Sequence, residues 1–126
     1  MKTVLADTFY WTALTSTEDS FHIRALEFSR SAQLDRIVTT VEVLVESLAF
    51  FASARPSVRI QAGNTVAQFP GNSRVQVVPQ SRDSFLNGLE LYRARPDKGY
   101  SVTDCISMQT MRREGLTDVL TNDRHF

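Results

Sequence analysis

Four short runs of β-branched and apolar residues, 4–6, 37–40, 75–78 and 119–121, constrain this chain more than any other feature. Each is too short for a helix; Val4 to Ala6 is apolar on both faces, as strands buried in a parallel sheet tend to be, and Ile37 to Thr40 is β-branched throughout. The segments between them carry helical periodicity. Phe21, Ala25, Phe28 and Ala32 recur on one helical stripe, and Val41, Leu44, Val45, Leu48, Phe51 and Ala52 form the strongest stripe in the chain, closed by Pro56. Val58, Ala62, Val66 and Phe69 predict another helix, as do Phe85, Leu86, Leu89 and Tyr92. Residues 102–113 predict a last one with Gly115 as its C-cap, while the aromatic stretch 8–14 reads as a short helical turn. Strands alternating with helices through short links give an α/β domain with a mostly parallel sheet, one domain over residues 1–126.

In such sheets, sites form beyond the carboxyl ends of strands where the strand order reverses. Asp7 follows the first run and Asp123 follows the fourth. If those strands are neighbours, the two acids face one crevice. Each acid also has a plain structural role open to it. Asp7 can cap the following segment. Asp104 sits at the third position after Ser101, so its carboxylate can reach back to the Ser101 amide as a capping box. Asp123 can be an ordinary turn residue. Glu46 lies within the apolar stripe, where a lone buried carboxylate costs several kcal/mol unless a partner, a proton or a metal compensates. Glu42 stands four residues earlier on the same face, and the pattern leaves open which of the two points inward.

Carboxylates without a cysteine or histidine cluster make an oxygen-rich site suited to Mg²⁺ or Mn²⁺. One cysteine and two histidines are too few for a structural zinc site. Glycines at 63, 71, 88, 99 and 115 are scattered, so neither a phosphate-cradling loop nor a dinucleotide fingerprint is present. The serines lack the G-x-S-x-G elbow, which argues against acyl transfer. A phosphatase using Asp7 would want a second Asp two residues on, where Phe9 stands. Cys105 is expected to be a buried filler, and His22 a packing or surface residue.

Charge narrows the partners. Fourteen basic and fourteen acidic side chains cancel, so any phosphate-facing surface must be local, with Arg93, Arg95, Lys98 and Arg124 as candidates. The lone cysteine suits a reducing compartment, and the apolar start is too short for a signal peptide, so a cytoplasmic protein is expected.

The segments Leu5-Ala6-Asp7-Thr8, Val43-Leu44-Val45-Glu46, Ser101-Val102-Thr103-Asp104-Cys105 and Leu120-Thr121-Asn122-Asp123-Arg124-His125-Phe126 resemble the four acidic motifs of PIN domains, in order and in spacing. The resemblance spans essentially the whole chain, including Phe21-His22 and Asp97-Lys98, and is closest to stand-alone PIN proteins that include VapC-type toxins. It implies a three-layer α/β/α fold around a mostly parallel sheet of four to five strands. It also implies a Mg²⁺- or Mn²⁺-dependent ribonuclease cutting single-stranded or structured RNA, with an antitoxin protein and a second copy of the chain, as a homodimer, as the expected partners. Carried onto this sequence, Asp7, Glu46, Asp104 and Asp123 become the metal-binding, catalytic acids, with Thr8 and Thr103 as hydroxyl neighbours. Relatives continue past the His-Phe step into a final strand. Ending at Phe126 is therefore expected to leave the fourth strand at a sheet edge, which either a dimer partner covers or the fold manages without. The competing expectation is a non-catalytic PIN scaffold that binds RNA or a protein partner.

Overall fold

A computed structural model of the protein describes residues 2–32 and 34–120. The predicted elements are there. Strands β1 (Lys2–Ala6), β2 (Leu34–Thr40), β3 (Val75–Val78) and β4 (Val119–Leu120) form one sheet in the order β3-β2-β1-β4, and every pairing is parallel. Each crossover is a pair of helices: α1 (Thr8–Thr15) with α2 (His22–Ser29), α3 (Val41–Phe50) with α4 (Pro56–Ala67), and α5 (Arg82–Ala94) with α6 (Val102–Glu114). A short 3₁₀ turn, Phe69–Gly71, follows α4. The result is the α/β/α architecture expected, with β4 at one end of the strand order. Thr121, the last residue of the predicted fourth strand, lies outside the described residues.

The strand order answers the geometric question. The chain moves from β1 to β2 to β3 in one direction and then returns to the other side of β1, so β1 and β4 flank the point of reversal. Leu5 pairs with Val119 and Ala6 with Leu120. The core lies around β1 and β2, where Val4, Ala6, Leu34 and Ile37 pack with Tyr10, Trp11, Ala13, Ala25, Val43, Leu44 and Phe69.

Two apolar stripes face differently from their expected orientation. In α3 the buried positions are Val43, Leu44 and Ser47, while Val45 and Leu48 are exposed. In α5 the buried positions are Ser84 and Gly88, and Phe85, Leu86 and Tyr92 are exposed. For α5 the reason is how closely it meets α6. A Cβ on Gly88 would come within 2.5 Å of Ile106 Cγ1, so α5 meets α6 through its small side chains and turns its large ones outward. Among the described residues, no helix is long and apolar enough to cross a membrane.

Candidate active site

Asp7 stands between β1 and α1, at the carboxyl end of the strand, and is only 4 % exposed. Extended backbone there lets it cap the helix: its Oδ1 accepts from the Tyr10 amide at 3.3 Å, and its carbonyl accepts from the Trp11 amide at 3.4 Å. Its own amide donates to the Leu120 carbonyl on β4 at 3.4 Å. The capping role foreseen for Asp7 is therefore real. A cap and a second role are compatible in one carboxylate, which has two oxygens and about four lone-pair sites. The partial positive charge of the helix N-terminus favours an acidic residue at this position.

Thr40 ends β2 and caps α3, its Oγ1 accepting from the Val43 amide at 3.1 Å. This fixes the helix so that Glu46 comes to the first turn of α1. There the Thr8 hydroxyl donates to Glu46 Oε1 at 2.5 Å, a short charge-assisted bond across 38 residues of sequence. Of the two glutamates left open by the α3 pattern, Glu46 is the one tied to the Asp7-Thr8 step.

Asp104 is in the first turn of α6, and both halves of the predicted capping box form. Ser101 Oγ accepts from the Asp104 amide at 3.0 Å, and Asp104 Oδ2 accepts from the Ser101 amide at 3.0 Å. Gly115 closes the same helix in the left-handed conformation, at φ 69°. Helix α3 packs against both α1 and α6, so the elements bearing Asp7, Glu46 and Asp104 adjoin one another. The side chains themselves are not assembled. Among the described residues, no group of three His, Cys, Asp or Glu side chains is placed to hold a metal ion. Asp123, with Arg124 and His125, lies outside those residues.

The donors that are in place, the Asp7 and Glu46 carboxylates and the Thr8 hydroxyl, are all hard oxygens and suit Mg²⁺ or Mn²⁺ in chemistry. Neighbouring soft groups do not compete. Burial, and then the Asp104 charge, push the Cys105 thiol up, and the residue is fully buried, as a filler should be. His22 Nδ1 is bound to the Ala13 carbonyl at 2.8 Å, a packing role. Of the candidate rim cations, Arg95 forms an exposed bridge to Asp97 at 3.1 Å.

A hydrogen-bonded chain beneath Asp7 went unread in the sequence: Trp11 Nε1 donates to Thr39 Oγ1 at 3.1 Å, and Thr39 Oγ1 donates to the Ala6 carbonyl at 3.0 Å. The signal for it was a polar Thr39-Thr40 pair closing a strand directly after the apolar Ile37-Val38.

Comparison with known proteins gives the family and the fold. The chain belongs to the PIN-domain family, whose family model matches residues 4–126. Among solved structures, the Mycobacterium tuberculosis toxin VapC20, described as cleaving the sarcin–ricin loop, has a TM-score of 0.83 at 21% identity. That likeness covers 96% of this chain and 90% of the other, and at such identity it is a likeness of fold. No curated protein matches the chain.

Proposed function

We propose that this protein is a metal-dependent endoribonuclease that hydrolyses RNA phosphodiester bonds, with Asp7, Glu46, Asp104 and Asp123 as its acids. The observation that carries the reading is the Thr8–Glu46 bond beside a buried Asp7, at the point where β1 and β4 meet. Membership of the PIN family supports it. A Mg²⁺ or Mn²⁺ ion, when bound, would supply an activated water and offset charge on the scissile phosphate. The chain's own part is to hold the oxygens. Asp7 is fixed by the helix cap and Glu46 by Thr8. Asp104 retains a second oxygen while Oδ2 caps α6. Arg93, Arg95, Lys98 and Arg124 would guide the RNA backbone. An exposed bridge such as Arg95–Asp97 contributes about 0–1 kcal/mol, so Arg95 can trade it for a phosphate.

The same reading makes residues 1–126 one nuclease domain, RNA the substrate, an antitoxin protein the partner and the cytoplasm the setting. Exposed Val45, Phe50 and Ile60 on α3 and α4 supply apolar surface for a homodimer. The second reading is a PIN scaffold that binds RNA or a protein without cutting. The engagement of Asp104 in its capping box and the absence of a three-acid cluster among the described residues favour it. Incubating a mixed RNA pool with Mn²⁺ separates the two. A nuclease cleaves with the wild-type protein and not with Asp7→Asn or Asp104→Asn, whereas a scaffold gives no cleavage that depends on either acid.

A further inference from the structure

The peptide unit between Ala6 and Asp7 is gripped at both ends by different means. Its N–H donates to the Leu120 carbonyl on β4. Its C=O faces β2, where the pairing of β1 with β2 runs only as far as Leu5 opposite Val38. One step on, β2 stays with β3, Thr39 opposite Val77 and Thr40 opposite Val78, while Ala6 pairs with Leu120. The two central strands thus part company immediately before Asp7, and the Thr39 hydroxyl spans the gap to the Ala6 carbonyl at 3.0 Å.

The direction of this chain of bonds is fixed by chemistry. An indole N–H can only donate, so Trp11 fills the acceptor side of Thr39 Oγ1 and leaves the single hydroxyl proton for Ala6. All three residues are buried, and the Trp11 ring is held by Tyr10 and Phe69 at centroid distances of 4.9 and 4.8 Å. Trp11 in turn belongs to the helix that Asp7 caps. The ring of interactions closes on itself: Asp7 starts α1, α1 carries Trp11, Trp11 orients Thr39, and Thr39 holds the peptide that aims Asp7.

We infer that Thr39, oriented by Trp11, is a positioning residue for the Asp7 carboxylate. The inference rests on the reading of Asp7 as a metal-holding acid. An ordinary satisfied core threonine would stabilise the fold as a whole. A positioning residue acts locally, on the Ala6–Asp7 peptide and the cap that follows it.

Amide hydrogen exchange on the metal-free protein distinguishes these roles. Thr39→Val keeps the shape and strands the Ala6 carbonyl and the Trp11 indole. The Asp7 and Tyr10 amides should then exchange about tenfold faster or more relative to the Ile106 and Ser107 amides of α6. Thr39→Ser should restore the wild-type pattern, and Trp11→Phe should give a smaller change of the same kind. A uniform loss of protection across Asp7, Tyr10 and α6 would overturn the inference; if Thr39→Val does not fold, Trp11→Phe decides by the same comparison. In parallel, Mn²⁺ binding measured with the metal alone should weaken about tenfold in Thr39→Val and recover in Thr39→Ser. Unchanged Mn²⁺ affinity in Thr39→Val would also overturn it. A wild-type protein that binds no Mn²⁺ would count against the nuclease reading, and the exchange pattern would then settle the role of Thr39 by itself.

Discussion

Asp7 holds two jobs that substitution can separate. Asn caps a helix about as well as Asp, whereas Ala loses about 1 kcal/mol at such a position. Asp7→Asn should therefore abolish RNA cleavage and leave the metal-free protein about as stable as wild type, because the helix cap survives the change. Asp7→Ala should lose both activity and stability. Thermal melts of the two variants without metal, beside an RNA assay, check the pair of outcomes. Tyr10 offers a test at alkaline pH. Burial pushes its phenol up to about 12, opposed by the neighbouring Ser29 hydroxyl and the Arg74 charge. Its hydroxyl makes no hydrogen bond of good geometry among the described residues, and the Ser29 proton goes to the Leu26 carbonyl at 2.7 Å. The unfolded chain therefore releases this proton first, near the ordinary value of 10.0. Stability from the neutral phenol is complete below that pH and is lost as pH rises through about 12. Urea unfolding at rising alkaline pH should show wild type losing stability that Tyr10→Phe does not.

At the level of elements, the tightest joint is α5 against α6. A Cβ on Gly88 would lie 2.5 Å from Ile106 Cγ1 and 3.2 Å from the Ile106 amide nitrogen, so backbone as well as side chain would have to move. Replacing a helical glycine with alanine gains up to about 1 kcal/mol of propensity. Overpacking costs about 1–3 kcal/mol, and it should win here. Gly88→Ala is expected to destabilise by about 1 kcal/mol or more, and Gly88→Ala with Ile106→Val to recover part of the loss, as read from chemical denaturation. The same joint shows where periodicity misleads. The sequence marks Phe85, Leu86, Leu89 and Tyr92 as a helix, and a helix forms. Its inward face, however, is made by Ser84 and Gly88, since close helix approach selects small side chains that carry no hydrophobic signal. In α3, likewise, the apolar pattern spread wider than the buried face, so Val45 and Leu48 are left outside.

For the whole molecule, metal linkage is the decisive measurement. A ligand bound only by the folded state stabilises it by ~2.7 kcal/mol at a free concentration 100-fold above Kd. Millimolar Mn²⁺ should therefore raise the Tm of wild type and leave Asp7→Asn unmoved; an unchanged wild-type melt would count heavily against the site. The surface points to a second whole-molecule test. Val45 is 56 % exposed, Phe50 66 % and Ile60 61 %, apolar side chains that a second copy of the chain would cover. Sedimentation should find a dimer that Phe50→Lys weakens.

The amino-acid sequence by itself determined the succession of strands and helices, the caps at Ser101 and Gly115, and the acid Asp7 that ends the first strand. These are matters of local period, propensity and turn chemistry, which a few neighbouring residues settle. Only tertiary structure decided that β1 lies beside β4 and that Thr8 reaches Glu46. It alone placed the Thr39 hydroxyl under Asp7, where two strands separate. Such relations join residues tens of positions apart, and their geometry comes from how whole elements pack, a quantity no local pattern carries.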